Sequence, residues 1–192
     1  MARSLIYLLE YLGHDVRLVS EFQSREPEGR EKVQRKLEAQ GGSIADKLAE
    51  SYLNSTVSWK PDIWFTYHVY YKAPDWIGLK VTEKINIPYV IAEVSHAPKR
   101  ANGPWKNSHI QVENAIKHAD LILGLNSRDY PLVSSILQST DHYIGIKPFT
   151  YKEFQEPGKS GSLNRSLIDS CRGNTDRLIF LSVAMMRYGA KY

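Results

Sequence analysis

Residues 61–94 read PDIWFTYHVYYKAPDWIGLKVTEKINIPYVIAEV. Pro61 precedes the apolar and aromatic run Asp62–Tyr67, which reads as a strand. A polar, aromatic loop follows, then a helix from about Trp76 to Ile85. Asn86, Ile87 and Pro88 turn the chain into Tyr89–Val94, a second, almost wholly apolar strand. Strand, helix, strand is the repeating unit of a parallel sheet covered by helices.

Working outward, the same rhythm continues. A long loop, Ser95–Ser108, precedes a helix to about His118. Leu121–Leu125 (LILGL) is a strand, Ser127 caps a helix to about Gln138, and His142–Ile146 is the next strand. Upstream, Leu5, Leu8, Leu9 and Leu12 recur at helical spacing over residues 2–12, and Gly13 ends that helix. Val16, Leu18 and Val19 begin a strand that ends near Ser20. Glu31, Lys32, Arg35, Lys36 and Glu38 line a solvated helix face. Gly41–Gly42 is expected to break this helix, and Ser43 to cap a further one to about Ser55. The prediction is an α/β fold, a Rossmann-like doubly wound parallel sheet over residues 1–150. Residues 151–177 are poor in core-forming side chains and read as an interdomain linker. Leu178–Ala184 (LIFLSVA) is expected to be the first strand of a second Rossmann-like domain starting at 178–192.

Composition narrows the function. The chain has 192 residues, 42% hydrophobic and 24% charged, as in a globular protein. Its apolar runs fall far short of the ~20 residues needed to span a bilayer. Arg3 and Leu5–Leu9 imitate a signal peptide, but Glu10 interrupts the apolar stretch. Cys171, the single cysteine, excludes an internal disulfide. These features point to the cytoplasm. Lys+Arg 25 against Asp+Glu 21 gives +4. That excess, with no block of like charge, argues against a nucleic-acid partner and suits an anionic small molecule or a membrane surface.

Parallel sheets place ligands at the carboxyl ends of their strands. The loops to watch therefore begin at Tyr67, Ser95 and Asn126. Tyr67, His68, Tyr70, Tyr71 and Lys72 offer ring faces with polar tips. These suit the apolar C–H faces of sugars, or pack as core under the loop. His96 is a hydrogen-bond donor at a strand end, or a loop histidine tied to backbone. Lys99 and Arg100 can hold an anionic acceptor, and Trp105 can stack on a sugar ring or anchor the loop. No G-x-x-x-x-G-K-[ST] or G-x-S-x-G is present. His109 and His118 are nine apart, which does not make a zinc pair, and Asp62 and Asp75 do not make a glycosidase pair.

The order of these pieces resembles the N-terminal, acceptor-side domain of a retaining GT-B glycosyltransferase of family 4. GHDVRLVS (13–20) is similar to that family's GHxVxxxS strand, PDIWFTYH (61–68) to PDxxxxH, IPYVIAEVSHAP (87–98) to hPxVxxxH, and ADLILGLNSRD (119–129) to ADxxxxxS. YIGIKPFTYKEF (143–154) stands in the place of xxPNGxDxxxF without its Asn-Gly. LIFLSVAMMRYGAK (178–191) resembles xxVGRxxxxKG. The resemblance implies transfer of a sugar from a nucleoside-diphosphate sugar to a carbohydrate or lipid-linked acceptor, with retention and without a metal or other cofactor. It implies His96 as the catalytic residue near the transferred sugar. Tyr67, His68, Tyr70, Lys99, Arg100, Trp105 and Asn126 would bind the acceptor. Arg187 and Lys191 would hold the donor diphosphate. It also implies a cytoplasmic enzyme whose first strand and C-terminal domain are missing from this chain; helix 2–12 and the charged helix 29–40 leave open a peripheral contact with the inner face of a membrane. The chain alone would then be inactive, with a gap in its sheet. The alternatives are a nucleotide-sugar epimerase of the same architecture and a non-catalytic, stand-alone ligand-binding domain.

Overall fold

A computed structural model describes residues 1–54 and 58–149, together with the strand backbone of 179–184. The expected linker at 151–177 and both donor-side cations, Arg187 and Lys191, lie outside the described residues. The elements run α1 (Ala2–Tyr11), β1 (Asp15–Leu18), α2 (Glu31–Leu53), β2 (Ile63–Val69), α3 (Gly78–Ile85), β3 (Tyr89–Val94), α4 (Lys106–His118), β4 (Leu121–Gly124), α5 (Tyr130–Ser134), β5 (Tyr143–Gly145) and β6 (Ile179–Ala184). Short 3₁₀ turns occupy Pro98–Arg100 and Thr140–His142.

The strands form one parallel sheet in the order β1-β6-β2-β3-β4-β5. This is the predicted Rossmann-like α/β architecture. One expectation about its ends is corrected. Residues 179–184 do not open a second sheet; they pair with both β1 and β2. Asp15–Leu18 lies against Ile179–Ser182, and Ile63–Tyr67 against Phe180–Ala184. The expected gap in the sheet is thereby filled. A strand with neighbours on both sides satisfies its backbone donors and acceptors, which an open slot would leave unpaired.

The two faces are covered unequally. Trp64, Tyr89, Ile91 and Ile122 point to one side and pack under Ala45 and Tyr52 of α2, Val81 of α3, Val112 and Ile116 of α4 and Val133 of α5. Phe65, Val90 and Ala92 point to the other, against Leu5 of α1. Among the described residues no helix is long and apolar enough to cross a membrane.

A second correction concerns α2. It runs unbroken from Glu31 to Leu53, so Gly41–Gly42 does not end a helix and Ser43 does not cap one. Gly41 is buried because α3's leading residues pass close by: a Cβ there would overlap that of Trp76. The glycine serves close packing between helices, and helix propensity yields to it. Lys80 and Lys84 of α3 close the same seam on Asp46 of α2, at 2.8 and 2.6 Å. The helix expected to about Gln138 is one short turn, α5.

Candidate functional site

The carboxyl ends of β2 and β3 carry an unusual backbone feature. His68 and Glu93 have φ of 65° and 62°. Neither is glycine, and such residues seldom adopt left-handed conformations. The register pairs Tyr67 with Ala92 and Val69 with Val94, so His68 and Glu93 stand opposite each other. Each shifts the phase of its strand. Trp64 and Tyr89 face the α2–α5 side, and alternation alone would put Val69 and Val94 on the other. Both instead join the core on the α2–α5 side. Backbone held in such conformations persists where the surroundings over-determine it, and clusters at functional sites.

The two side chains meet: His68 Nδ1 lies 3.3 Å from Glu93 Oε1. Hydrogen bonding from His68, then from Tyr67, holds the Glu93 carboxyl below its ordinary value against the opposing effect of burial. Burial, and then the Glu93 carboxylate, push the Tyr67 phenol well above its own. Tyr67, Glu93 and His68 thus form a linked polar group at the strand ends. Sequence reading did not single out Glu93.

Beside it lies an aromatic and cationic platform. His68 meets Tyr70 edge-on at 5.0 Å, Tyr70 meets Tyr71 at 5.9 Å and Tyr71 meets Trp105 at 5.4 Å. The Arg100 guanidinium sits 5.0 Å from the Tyr71 ring and 4.9 Å from that of Trp105, and Lys72 Nζ lies 5.3 Å from Trp105. Each cation is held over the negative face of a ring. Arg100 Nε is buried without a hydrogen-bond partner.

Glu26 fastens the platform's loops. Its carboxylate accepts from the backbone N–H of Glu28, Gly29 and Arg30 and from Arg30 Nε. Burial raises its pKa, but these donors bring it below the ordinary value. Its own N–H donates to the Lys72 carbonyl at 2.7 Å, and its carbonyl accepts from Trp105 Nε1 at 3.4 Å. Gly29, with φ of 79°, is required here: a Cβ would stand 2.6 Å from that of Pro104.

The predicted acceptor residues Tyr67, His68, Tyr70, Arg100 and Trp105 are therefore brought together. Lys99 and Asn126 do not join them. Lys99 is exposed on its turn, and Asn126 is an exposed turn residue, accepting from the Arg128 N–H and donating to Asp129. His96 lies deeper than expected. It is 5% exposed; its Nδ1 donates to the Leu132 carbonyl at 2.9 Å and its Nε2 faces Glu113 Oε1 at 3.0 Å. It does not point into an open cleft in this arrangement.

No protein-family model matches the chain, and no curated protein matches it either.

Proposed function

We propose that the platform at the carboxyl ends of β2 and β3 is the acceptor surface of a glycosyltransferase domain. The reaction would take a sugar from a nucleoside-diphosphate sugar, with retention and without a metal in the transfer step. One observation carries the reading: two cations are fixed over two aromatic rings at the ligand-binding edge of a parallel sheet, with the buried Arg100 Nε still lacking an acceptor. Such a surface offers stacking to a sugar's C–H face and a charged donor to a phosphate or carboxylate on the same molecule. Tyr67 and His68 stand at its rim to engage hydroxyls. A phosphorylated or lipid-linked carbohydrate meets these demands, and the latter would bring the domain to a membrane surface.

His96 takes a positioning role in this reading, because both its nitrogens are engaged below the surface. Arg187 and Lys191 keep the donor-diphosphate role that the resemblance gives them. The engagement of His96 also favours a second reading, a carbohydrate-binding domain without turnover. The epimerase draws support from no observation.

The test has two arms. Saturation-transfer NMR with a panel of sugar phosphates reads the platform. Trp105→Ala and Arg100→Ala should each weaken binding about tenfold or more, the scale of one lost stacking or charged contact. Release of nucleoside diphosphate from sugar nucleotides, with the product anomer assigned by NMR, reads transfer. Binding without release supports the second reading. Wild-type binding equal to that of both variants overturns the platform.

A further inference from the structure

We propose that His96, His109 and Glu113 form a binding site for a divalent transition-metal ion, and that Zn²⁺ is the ion they fit. The site lies apart from the platform and does not rest on the glycosyltransferase reading.

The three residues converge from two elements. His96 follows β3; His109 and Glu113 are one turn apart on α4 and share a face. Their ligand atoms all lie within 4.8 Å of one another. Glu113 Oε1 is 3.0 Å from His96 Nε2 and 3.9 Å from His109 Nδ1. Tetrahedral zinc, with bonds of about 2.0–2.1 Å, sets its ligand atoms about 3.4 Å apart. The two separations from Glu113 bracket that value, and a shift of the side chains would bring the histidine pair, within 4.8 Å, to it.

Proton accounting carries the argument further. The Leu132 carbonyl only accepts, so His96 Nδ1 must hold a hydrogen. In the neutral ring Nε2 then presents a lone pair. It faces a carboxylate oxygen, which also only accepts. A hydrogen held by His96 or by Glu113 must lie between them, or else a metal ion. His109 decides between these. Its ring is 1% exposed and neither nitrogen has a hydrogen-bond partner. The backbone at Ala97 lies near enough to favour the protonated ring without completing a bond of normal geometry. A proton there would join His96 to Glu113 and still leave His109 without a hydrogen-bond partner in the core. A metal ion serves all three residues.

The surroundings fit the same reading. His109 is buried on the α4 face that Glu113 shares, with its ring against that of His96 at 5.3 Å between centroids. The Leu132 carbonyl fixes the tautomer of His96, as outer partners of metal-bound histidines do. Two imidazoles and one carboxylate, with no thiolate, suit zinc, and Glu113 reaches the partly exposed side, where a water can complete four ligands. The ion would tie the start of the loop that carries Arg100 and Trp105 to α4.

The experiment uses the full chain, free of any affinity tag and stripped with a chelator. Calorimetric titration with Zn²⁺ should give one equivalent bound with sub-micromolar Kd, and Co²⁺ should give the intense visible bands of a tetrahedral site. Glu113→Gln keeps size and is only partly buried; it should weaken Zn²⁺ at least ~100-fold, beyond the 10–100-fold typical of outer partners. His109→Asn should do the same, with circular dichroism confirming that both variants are folded. His118→Ala, an exposed histidine on the same helix, should change nothing. The proposal is overturned by failure of the wild type to take up one equivalent, by a weak octahedral Co²⁺ spectrum, or by unchanged uptake in folded Glu113→Gln.

Discussion

Asp75 and His109 are both buried polar side chains in the layer between the sheet and helices α2–α5, 7% and 1% exposed. Their surroundings are opposite. Asp75 Oδ1 accepts from the N–H groups of Ile77 and Gly78, both at 2.8 Å, at the start of α3. Its Oδ2 accepts from the Thr66 hydroxyl at 2.6 Å and the Tyr89 hydroxyl at 2.8 Å. Thr66 in turn accepts from Trp64 Nε1 at 3.0 Å. Burial, and then Asp75, push the Tyr89 phenol well above its ordinary value, which keeps it a donor. His109 has no hydrogen-bond partner at either nitrogen. A buried polar group that the protein itself satisfies stabilises the fold. One that it leaves unsatisfied calls for an explanation, and a bound ion is the one proposed above for His109.

The largest effect should come from Asp75. Asp75→Ala removes four acceptances at once and strands two backbone donors at the head of α3. At about 1–3 kcal/mol for each buried group left unsatisfied, partly relieved by water, the loss should be about 4 kcal/mol. Urea unfolding measures it. A loss under ~1 kcal/mol would mean that the network does not hold the fold, and the contrast with His109 would collapse.

Gly78→Ala probes the same network by volume. A Cβ on Gly78 would overlap Asp75 Oδ2 and stand 2.6 Å from Trp64 Nε1. Alanine favours a helix by ~1 kcal/mol over glycine, but overpacking costs about 1–3 kcal/mol and here also displaces hydrogen bonds. A net loss of about 2 kcal/mol is expected in the same unfolding assay. A gain in stability would show that the network tolerates displacement.

The sequence revealed these two regions to different degrees. Strands β2 and β3 were legible because apolar runs bounded by Pro61 and Pro88 leave little choice, and β3 falls at its predicted bounds. The ring and cation clusters were legible as types at a strand end. Gly41 misleads because a glycine pair inside a charged helix looks like a break. Only the neighbour, Trp76, shows otherwise. The paired left-handed residues left no trace, because apolar side chains stand at both parities of β2 and β3 and only the packing shows that Val69 and Val94 change sides. The nine-residue spacing of His109 and His118 excludes a zinc pair, but the partner of His109 at helical spacing is Glu113, within HIQVE (109–113). No spacing could reveal that His96 joins them, because that contact spans the loop after β3 and is made by tertiary packing. For the same reason local pattern could not place Ile179–Ala184 between β1 and β2.

The smallest expected change is the sharpest test of the comparison. His109→Leu replaces an unpartnered imidazole with an apolar side chain of nearly similar volume, in a layer already lined by Val112 and Ile116. No hydrogen bond is lost, because His109 makes none, and burying an unsatisfied polar ring no longer has to be offset. The metal-free chain should therefore change by under ~1 kcal/mol in either direction. The Zn²⁺-induced rise in Tm expected of the wild type should be absent from this variant, since a ligand stabilises only a fold that binds it. A metal-free loss above ~2 kcal/mol would show that the ring is already satisfied within the protein, and His109 would then be the same kind of residue as Asp75.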